Sequence, residues 1–199
     1  VDTFSFEILR DLYEGLTTED RDGALIPGTA ASWTVSADGA RYDFQIRADA
    51  KWSDGQPVRA ADFVRAWQRV VNPATASPVA DVLRPIRHAT AILEGKMKPA
   101  DLDVRAVDDR HLTIWLERST PFFPQVLAHT ATFPAREPQQ TPDRHPPTNG
   151  AYSLVRWTPG SDIRIEKNAF YWDRDDETRA TEMSVTRDGW LPSMLKRRK

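Results

Sequence analysis

The stretch that decides the fold reading is Ala61-Asp62-Phe63-Val64-Arg65-Ala66-Trp67-Gln68-Arg69-Val70-Val71-Asn72-Pro73. Phe63, Val64, Trp67, Val70 and Val71 fall at i, i+1, i+4, i+7 and i+8, which is one apolar stripe on a helix. Asn72-Pro73 ends it, because a proline disfavours helical geometry at the residue before it. Just upstream, Lys51-Trp52-Ser53-Asp54-Gly55-Gln56-Pro57 reads as a turn with an aromatic anchor. Further back, Tyr42, Phe44 and Ile46 alternate with polar residues, the pattern of a half-buried strand. Asp38-Gly39 is a hairpin turn signal, so Ser32–Ser36 is predicted to pair with Arg41–Arg47.

Working outward, the apolar residues Phe4, Ile8, Leu9, Leu12, Tyr13 and Leu16 recur at helical spacing with Gly15 near the end, predicting a short helix. Glu19–Gly23 and Pro27-Gly28 read as turns, and Ala30–Trp33 is ambiguous. Thr75–Pro78 is a loop, Val79–Leu83 opens a short helix, and Ala89–Leu93 is a helix with Gly95 past its end. Val104 and Ala106, then Leu112, Ile114 and Leu116, alternate on either side of Asp108-Asp109 and predict a second hairpin. Thr120-Pro121-Phe122-Phe123 predicts a helix start with threonine as cap and Pro121 in the first turn. Phe133–Thr148 carries Pro134, Pro138, Pro142, Pro146 and Pro147 and reads as a crossover or linker. Tyr152–Trp157, a turn at Pro159-Gly160, and Asp162–Glu166 predict a third hairpin. Nothing repeats at a fixed period, which excludes solenoids and propellers.

Composition narrows the function classes. The 199 residues carry 27 Lys+Arg against 29 Asp+Glu, a net charge of −2. That balance argues against a nucleic-acid partner, which calls for a basic excess. No apolar run approaches the roughly 20 residues of a membrane-spanning helix, so the chain reads as soluble. No signal peptide opens the sequence, so any export signal has been removed or was never included. With zero cysteines, disulfide scaffolds, thiolate metal sites and cysteine nucleophiles are excluded. The 15 prolines and seven tryptophans suit a loop-rich chain of one domain or two small lobes.

No catalytic constellation emerges from spacing. His88, His111, His129 and His145 include no i, i+4 pair and no His-Glu-x-x-His motif, so they read as ordinary surface or loop residues and no metal site is expected. Ser32 and Ser53 lack a nucleophile-elbow context, and no glycine-rich phosphate or dinucleotide loop is present, so no cofactor is expected. Asp108-Asp109 and Asp175-Asp176 sit in turn-like positions. Trp67 reads as core, and Trp52 and Trp172 as loop anchors rather than a binding surface. The ending Lys196-Arg197-Arg198-Lys199 reads as a solvated basic tail. By elimination, binding is favoured over catalysis.

Several segments together are specific in order and spacing: Arg10-Asp11-Leu12-Tyr13-Glu14-Gly15-Leu16, Pro27-Gly28-Thr29-Ala30-Ala31-Ser32-Trp33 and Tyr42-Asp43-Phe44-Gln45-Ile46-Arg47. They continue through Ala50-Lys51-Trp52-Ser53-Asp54-Gly55-Gln56-Pro57-Val58, Ala61–Arg69 and Asn72-Pro73-Ala74-Thr75-Ala76-Ser77-Pro78. Asn149-Gly150-Ala151-Tyr152 and Asn168-Ala169-Phe170-Tyr171-Trp172-Asp173 complete the set. From about Ile8 to Asp173 the chain resembles the periplasmic oligopeptide-binding proteins, the family 5 solute-binding receptors of ABC importers. The Trp-Ser-Asp-Gly turn, the following Asp-Phe-x-x-x-Trp-Gln-Arg and Thr-Ala-Ser-Pro point to the oligopeptide subgroup rather than the dipeptide or nickel receptors.

The resemblance implies an α/β fold of the type II periplasmic-binding kind: a first lobe with an additional middle α/β domain, the second lobe missing. Residues 1–14 and 137–173 would belong to the first lobe, 15–136 to the middle domain, and 174–199 to a divergent C-terminal tail. It implies a periplasmic or membrane-associated extracytoplasmic location, an oligopeptide ligand held by main-chain hydrogen bonds, and a membrane permease as partner of the full-length protein. Of the family's first-lobe ligand segment, Asp2, Thr3 and Phe4 match by position but not by residue type. They either offer backbone hydrogen bonds or are frayed terminal residues. The family's aromatic after Thr-Ala-Ser-Pro is Val79 here, which removes an expected polar contact. The rival expectation is a truncated, non-transport interaction module, a homodimer that covers its open lobe face with a second copy.

Overall fold

The computed structural model describes residues 3–20, 22–136, 145–158, 161–175, 182–186 and 189–192. In chain order the elements are α1 (Thr3–Leu12), β1 (Thr17–Glu19), β2 (Leu25–Pro27), β3 (Ala30–Val35), β4 (Arg41–Ile46), α2 (Ala60–Val70), α3 (Ala89–Leu93), β5 (Val104–Ala106), β6 (His111–Trp115), α4 (Phe123–Val126), β7 (Tyr152–Thr158), β8 (Asp162–Lys167), β9 (Glu182–Thr186) and β10 (Gly189–Pro192). Short 3-10 turns lie at Pro73–Thr75, Ala80–Leu83, Pro99–Asp101 and Thr130–Thr132. Backbone contacts divide the chain into two compact units. The first holds the described residues of 1–13, 49–57 and 138–199; the second holds 14–48 and 58–137. Asp49–Pro57, which the sequence reading put within 15–136, falls in the first unit. Its local reason is a reciprocal tie, with the Ser53 amide donating to the Thr148 carbonyl at 2.7 Å and the Thr148 amide to Ser53 Oγ at 3.1 Å.

The second unit is built on an antiparallel sheet of order β3-β4-β6-β5. The β3–β4 hairpin forms where Asp38-Gly39 signalled it. Gly39 takes φ +69°, a left-handed conformation that suits glycine, while Asp38 Oδ1 accepts from the Ala40 amide at 3.0 Å. Asp108 does the same for the β5–β6 turn, accepting from the amides of Arg110 and His111 at 2.8 and 2.9 Å. The register places Phe44 opposite Leu112 and Tyr42 opposite Ile114, with Val104 on the far side of Ile114. All five are buried. Helix α2 packs on β5 and β6 with Phe63 and Trp67 fully buried, their rings edge to face at 6.1 Å. Trp67 Nε1 donates to the Thr132 carbonyl at 2.8 Å, so the indole is satisfied as well as buried. Asp62 caps the helix by accepting from the Arg59 amide at 2.9 Å.

The first unit centres on an antiparallel sheet of order β10-β9-β8-β7. Helix α1 lays Ile8 and Leu12 against Tyr152 and Ile165, with Tyr13, Leu154, Ile163 and Met183 around them. Burial raises the Tyr13 phenol above its usual pKa, because its ionised form would lose hydration.

Several expectations need correction. The N-terminal helix stops at Leu12 rather than near Leu16, which starts an extended run leading into β1. Gly150 donates its amide to the Leu12 carbonyl at 2.9 Å, giving the last helical carbonyl a tertiary partner. Thr120 is not the cap of α4. Phe122 holds that position and Pro124 the first turn, while the Thr120 carbonyl accepts from the Tyr42 hydroxyl at 3.0 Å and from the Phe123 amide at 2.9 Å. Ala30–Trp33 resolves as strand β3, and β1, β2, β9 and β10 add strands where none was predicted. Asp2, much of the Phe133–Thr148 linker, the Pro159-Gly160 turn, Asp176 and the Lys196–Lys199 end lie outside the described residues.

Candidate functional site

The motifs that are remote in sequence meet in a polar knot within the first unit. Thr148 (1% exposed), Asn149 and Asn168 (2% exposed) are all buried there. Asn168 is the hub: its Nδ2 donates to the Gly150 carbonyl at 2.9 Å and its amide to the Ala151 carbonyl at 2.8 Å. Its Oδ1 accepts from the Phe170 amide at 3.0 Å. Thr148 Oγ1 donates to the Tyr152 carbonyl at 2.8 Å. Burying these polar groups is affordable because each has its partner. Gly150 is required by close approach. A Cβ there would lie 2.6 Å from the Asp11 carbonyl oxygen and 2.7 Å from Leu12 C and Tyr13 N, all backbone atoms that cannot move aside. The knot therefore clamps the C-terminal end of α1.

The predicted ligand residues stand as follows. Thr3 and Phe4 form the first turn of α1, and Asp2 lies outside the described residues. In a helical first turn the carbonyls accept the i+4 amides, while the amides have no intrahelical acceptor. Thr3 and Phe4 can therefore offer a ligand main-chain N–H donors only, not the paired donors and acceptors of a strand. Val79 is half-buried at the N-cap position of the 3-10 turn Ala80–Leu83, with φ −112° and ψ 9°. Thr3 and Phe4 belong to the first unit and Val79 to the second. Trp52 is completely buried and Trp172 half-buried, its ring 5.4 Å from that of Tyr171, the environment of loop anchors.

The sheet of the second unit carries a shallow concavity of about 340 Å³ on its solvent face, lined by Ser32, Thr34, Asp43, Gln45, Val107, His111 and Thr113. Its charges are matched locally. Asp43 accepts from Arg41 Nε at 3.0 Å and Thr113 Oγ1 at 2.7 Å, and His111 Nδ1 lies against Asp108 Oδ2. The Arg110 amide, then the His111 side chain, hold the Asp108 carboxyl below its usual value of 3.8. His88 Nδ1 faces the Asp101 carbonyl at 3.0 Å, and His129 Nδ1 accepts from the Ala131 amide at 3.0 Å. Among the described residues no three His, Asp or Glu side chains converge as metal ligands, and no helix is long and apolar enough to cross a membrane.

Two α/β units of this design match the type II periplasmic-binding fold. The chain superposes on the unliganded open form of MppA, a periplasmic murein tripeptide binding protein, with a TM-score of 0.86. The two are 36% identical, over 94% of this chain and 37% of that one. Residues 24–187 match the family model for the bacterial extracellular solute-binding proteins, family 5 Middle, and the chain belongs to that family. The match passes Asp173, where the sequence resemblance was judged to end, and takes in β9. Over 175 residues the chain is 42% identical to the periplasmic oligopeptide-binding protein OppA of Escherichia coli, covering 83% of this chain and 32% of OppA. It is 39% identical to the probable deoxycholate-binding periplasmic protein YgiS of the same organism, covering 84% of this chain and 33% of YgiS. The chain thus spans about a third of the length of the curated relatives it matches.

Proposed function

We propose that this chain supplies the first lobe and middle domain of an oligopeptide receptor serving an ABC-type importer outside the cytoplasm. In this reading it binds rather than catalyses, and a membrane permease is the partner of the complete receptor. The observation that carries the proposal is the family match over residues 24–187, joined to 42% identity with an oligopeptide-binding protein. The division into two compact units supports assigning 1–14 and 137–173 to the first lobe and 15–136 to the middle domain, with Asp49–Pro57 joining the first lobe. Peptide contacts then come from main-chain amides at Asp2, Thr3 and Phe4 and from the Val79 segment. Such contacts are indifferent to peptide side chains.

One lobe leaves much of a peptide in water with its terminal charges unmatched, so this chain alone should bind weakly. Calorimetric titration with tri- to pentapeptides is expected to give dissociation constants no tighter than about micromolar, which is roughly −8 kcal/mol. Sub-micromolar binding would show that a second lobe is not needed. Deoxycholate belongs in the same titration, because YgiS is nearly as similar as OppA. Saturable binding of the bile acid with no response to peptides would replace the peptide reading.

A further inference from the structure

The sheet β10-β9-β8-β7 has two unlike faces. Register sets Trp157 opposite Ile163, and Leu154 opposite Ile165. A bulge between Leu154 and Arg156 keeps Leu154 and Trp157 on the same side of the sheet despite their odd spacing. Register carries the Trp157 row across the sheet to Val185 and then Trp190. The opposite face is charged: Arg156 faces Arg164, Ser153 faces Glu166 and Thr158 faces Asp162, with Arg156 also paired to Asp162.

Helix α1 covers only one end of the apolar face, where Ile8 and Leu12 meet Tyr152 and Ile165. At the other end Trp157 is 59% exposed, and Val155 in the bulge is 38% exposed. Among the described residues β7 pairs with β8 alone, so this tryptophan stands on an edge strand. A large aromatic in that position carries an unmet burial of about 150–250 Å².

We infer that the uncovered end of this face is a self-association surface whose occupant is a second copy of the chain, related by a two-fold axis near Trp157. The charge pattern selects that occupant. A two-fold contact brings each patch against itself, so any unpaired charge on it would meet its like. The row Trp157–Ile163 carries none, because the arginines and carboxylates of β7 and β8 lie on the other side. Two such faces can stack at the usual sheet spacing of about 10 Å without repulsion. The patch is smaller than the ~800 Å² per partner of a standard interface, so the dimer is weak, with dissociation on the order of tens of micromolar. This inference stands apart from peptide binding.

Sedimentation of the 199-residue chain over a concentration series tests it. The average mass is expected to rise from one chain toward two. Trp157→Ser should weaken association at least about tenfold, and Trp157→Phe should keep most of it. Val35→Ser, on an exposed position of the other sheet, should leave it unchanged. Oxidative footprinting of the unmutated chain adds a readout independent of any variant, with Trp157 modified in dilute solution and protected when concentrated. A chain that stays monomeric with Trp157 equally reactive throughout would overturn the proposal, whether the face is bare or is covered by another part of a longer polypeptide. A dimer indifferent to Trp157→Ser, with Trp157 still reactive, would overturn it too.

Discussion

The two sheets use the same antiparallel wiring and finish differently. In β3-β4-β6-β5 one face is sealed by α2 and the segments after it, with Tyr42, Phe44, Ile46, Leu112 and Ile114 each 2% exposed or less. Its other face is a solvated polar surface whose charges are neutralised in place, Asp43 by Arg41 and Asp108 by His111. In β10-β9-β8-β7 the apolar face is sealed only under α1, and Trp157 remains open at its far end. The lesson is that alternation tells which face of a strand is apolar, while the length and placement of the covering element decide how much of it is buried.

The same residue type in the two sheets' environments gives the widest contrast. Trp67→Ala should cost about 3–5 kcal/mol, because it removes a fully buried indole together with its hydrogen bond to Thr132. Trp157→Ala should change the stability of the monomer by no more than about 0.5 kcal/mol. Chemical unfolding of both variants in dilute solution checks the pair, and a large loss at Trp157 would mean that its face is already covered.

Gly150→Ala comes next, at about 3 kcal/mol, because the added methyl meets three backbone atoms of the α1 end. Loss of helical circular dichroism at lower denaturant is the expected sign. Asp62→Ala removes the carboxylate that accepts from the Arg59 amide and pairs with Arg65, at about 1 kcal/mol.

The smallest effects separate the hairpin turns. Hydrogen bonds from the Arg110 amide and His111 hold Asp108 below 3.8, and the Arg156 side chain does the same for Asp162 in the other sheet. A carboxyl depressed on folding stabilises the fold above its unfolded value, and that stabilisation disappears as pH falls through the folded value. Asp108→Asn and Asp162→Asn should each lower the urea midpoint slightly at neutral pH, with the deficit vanishing below the carboxylate range. A deficit that grew on acidification would refute the assignment. Raised salt should shrink the Asp162 effect more, since it rests chiefly on an ion pair and Asp108 chiefly on a backbone amide.

Much of this was readable in advance where a local pattern repeats. Helix α2 followed from five apolar residues at helical spacing, and the β3–β4 and β5–β6 hairpins from alternation flanking Asp38-Gly39 and Asp108-Asp109. Strands β1 and β2 escaped because three residues are too few to display a period. Thr120 was misread as a helix cap because nothing local reveals that its carbonyl is taken by Tyr42, 78 positions away. The polar knot was legible only as scattered motifs. Asn168, Gly150, Thr148 and Ser53 carry no periodic signal, and each looks like an ordinary turn residue until the others are brought to it.

The amino-acid order by itself determined the α/β class, the apolar side of each long element and the family, because periodicity and motif spacing are local properties. Tertiary structure alone decided that α1 ends at Leu12, that Asp49–Pro57 joins Thr148, and that Trp157 is left open while Trp67 is enclosed. Those outcomes depend on which distant surface arrives to remove water or accept a hydrogen bond, and neighbouring residues carry no record of that.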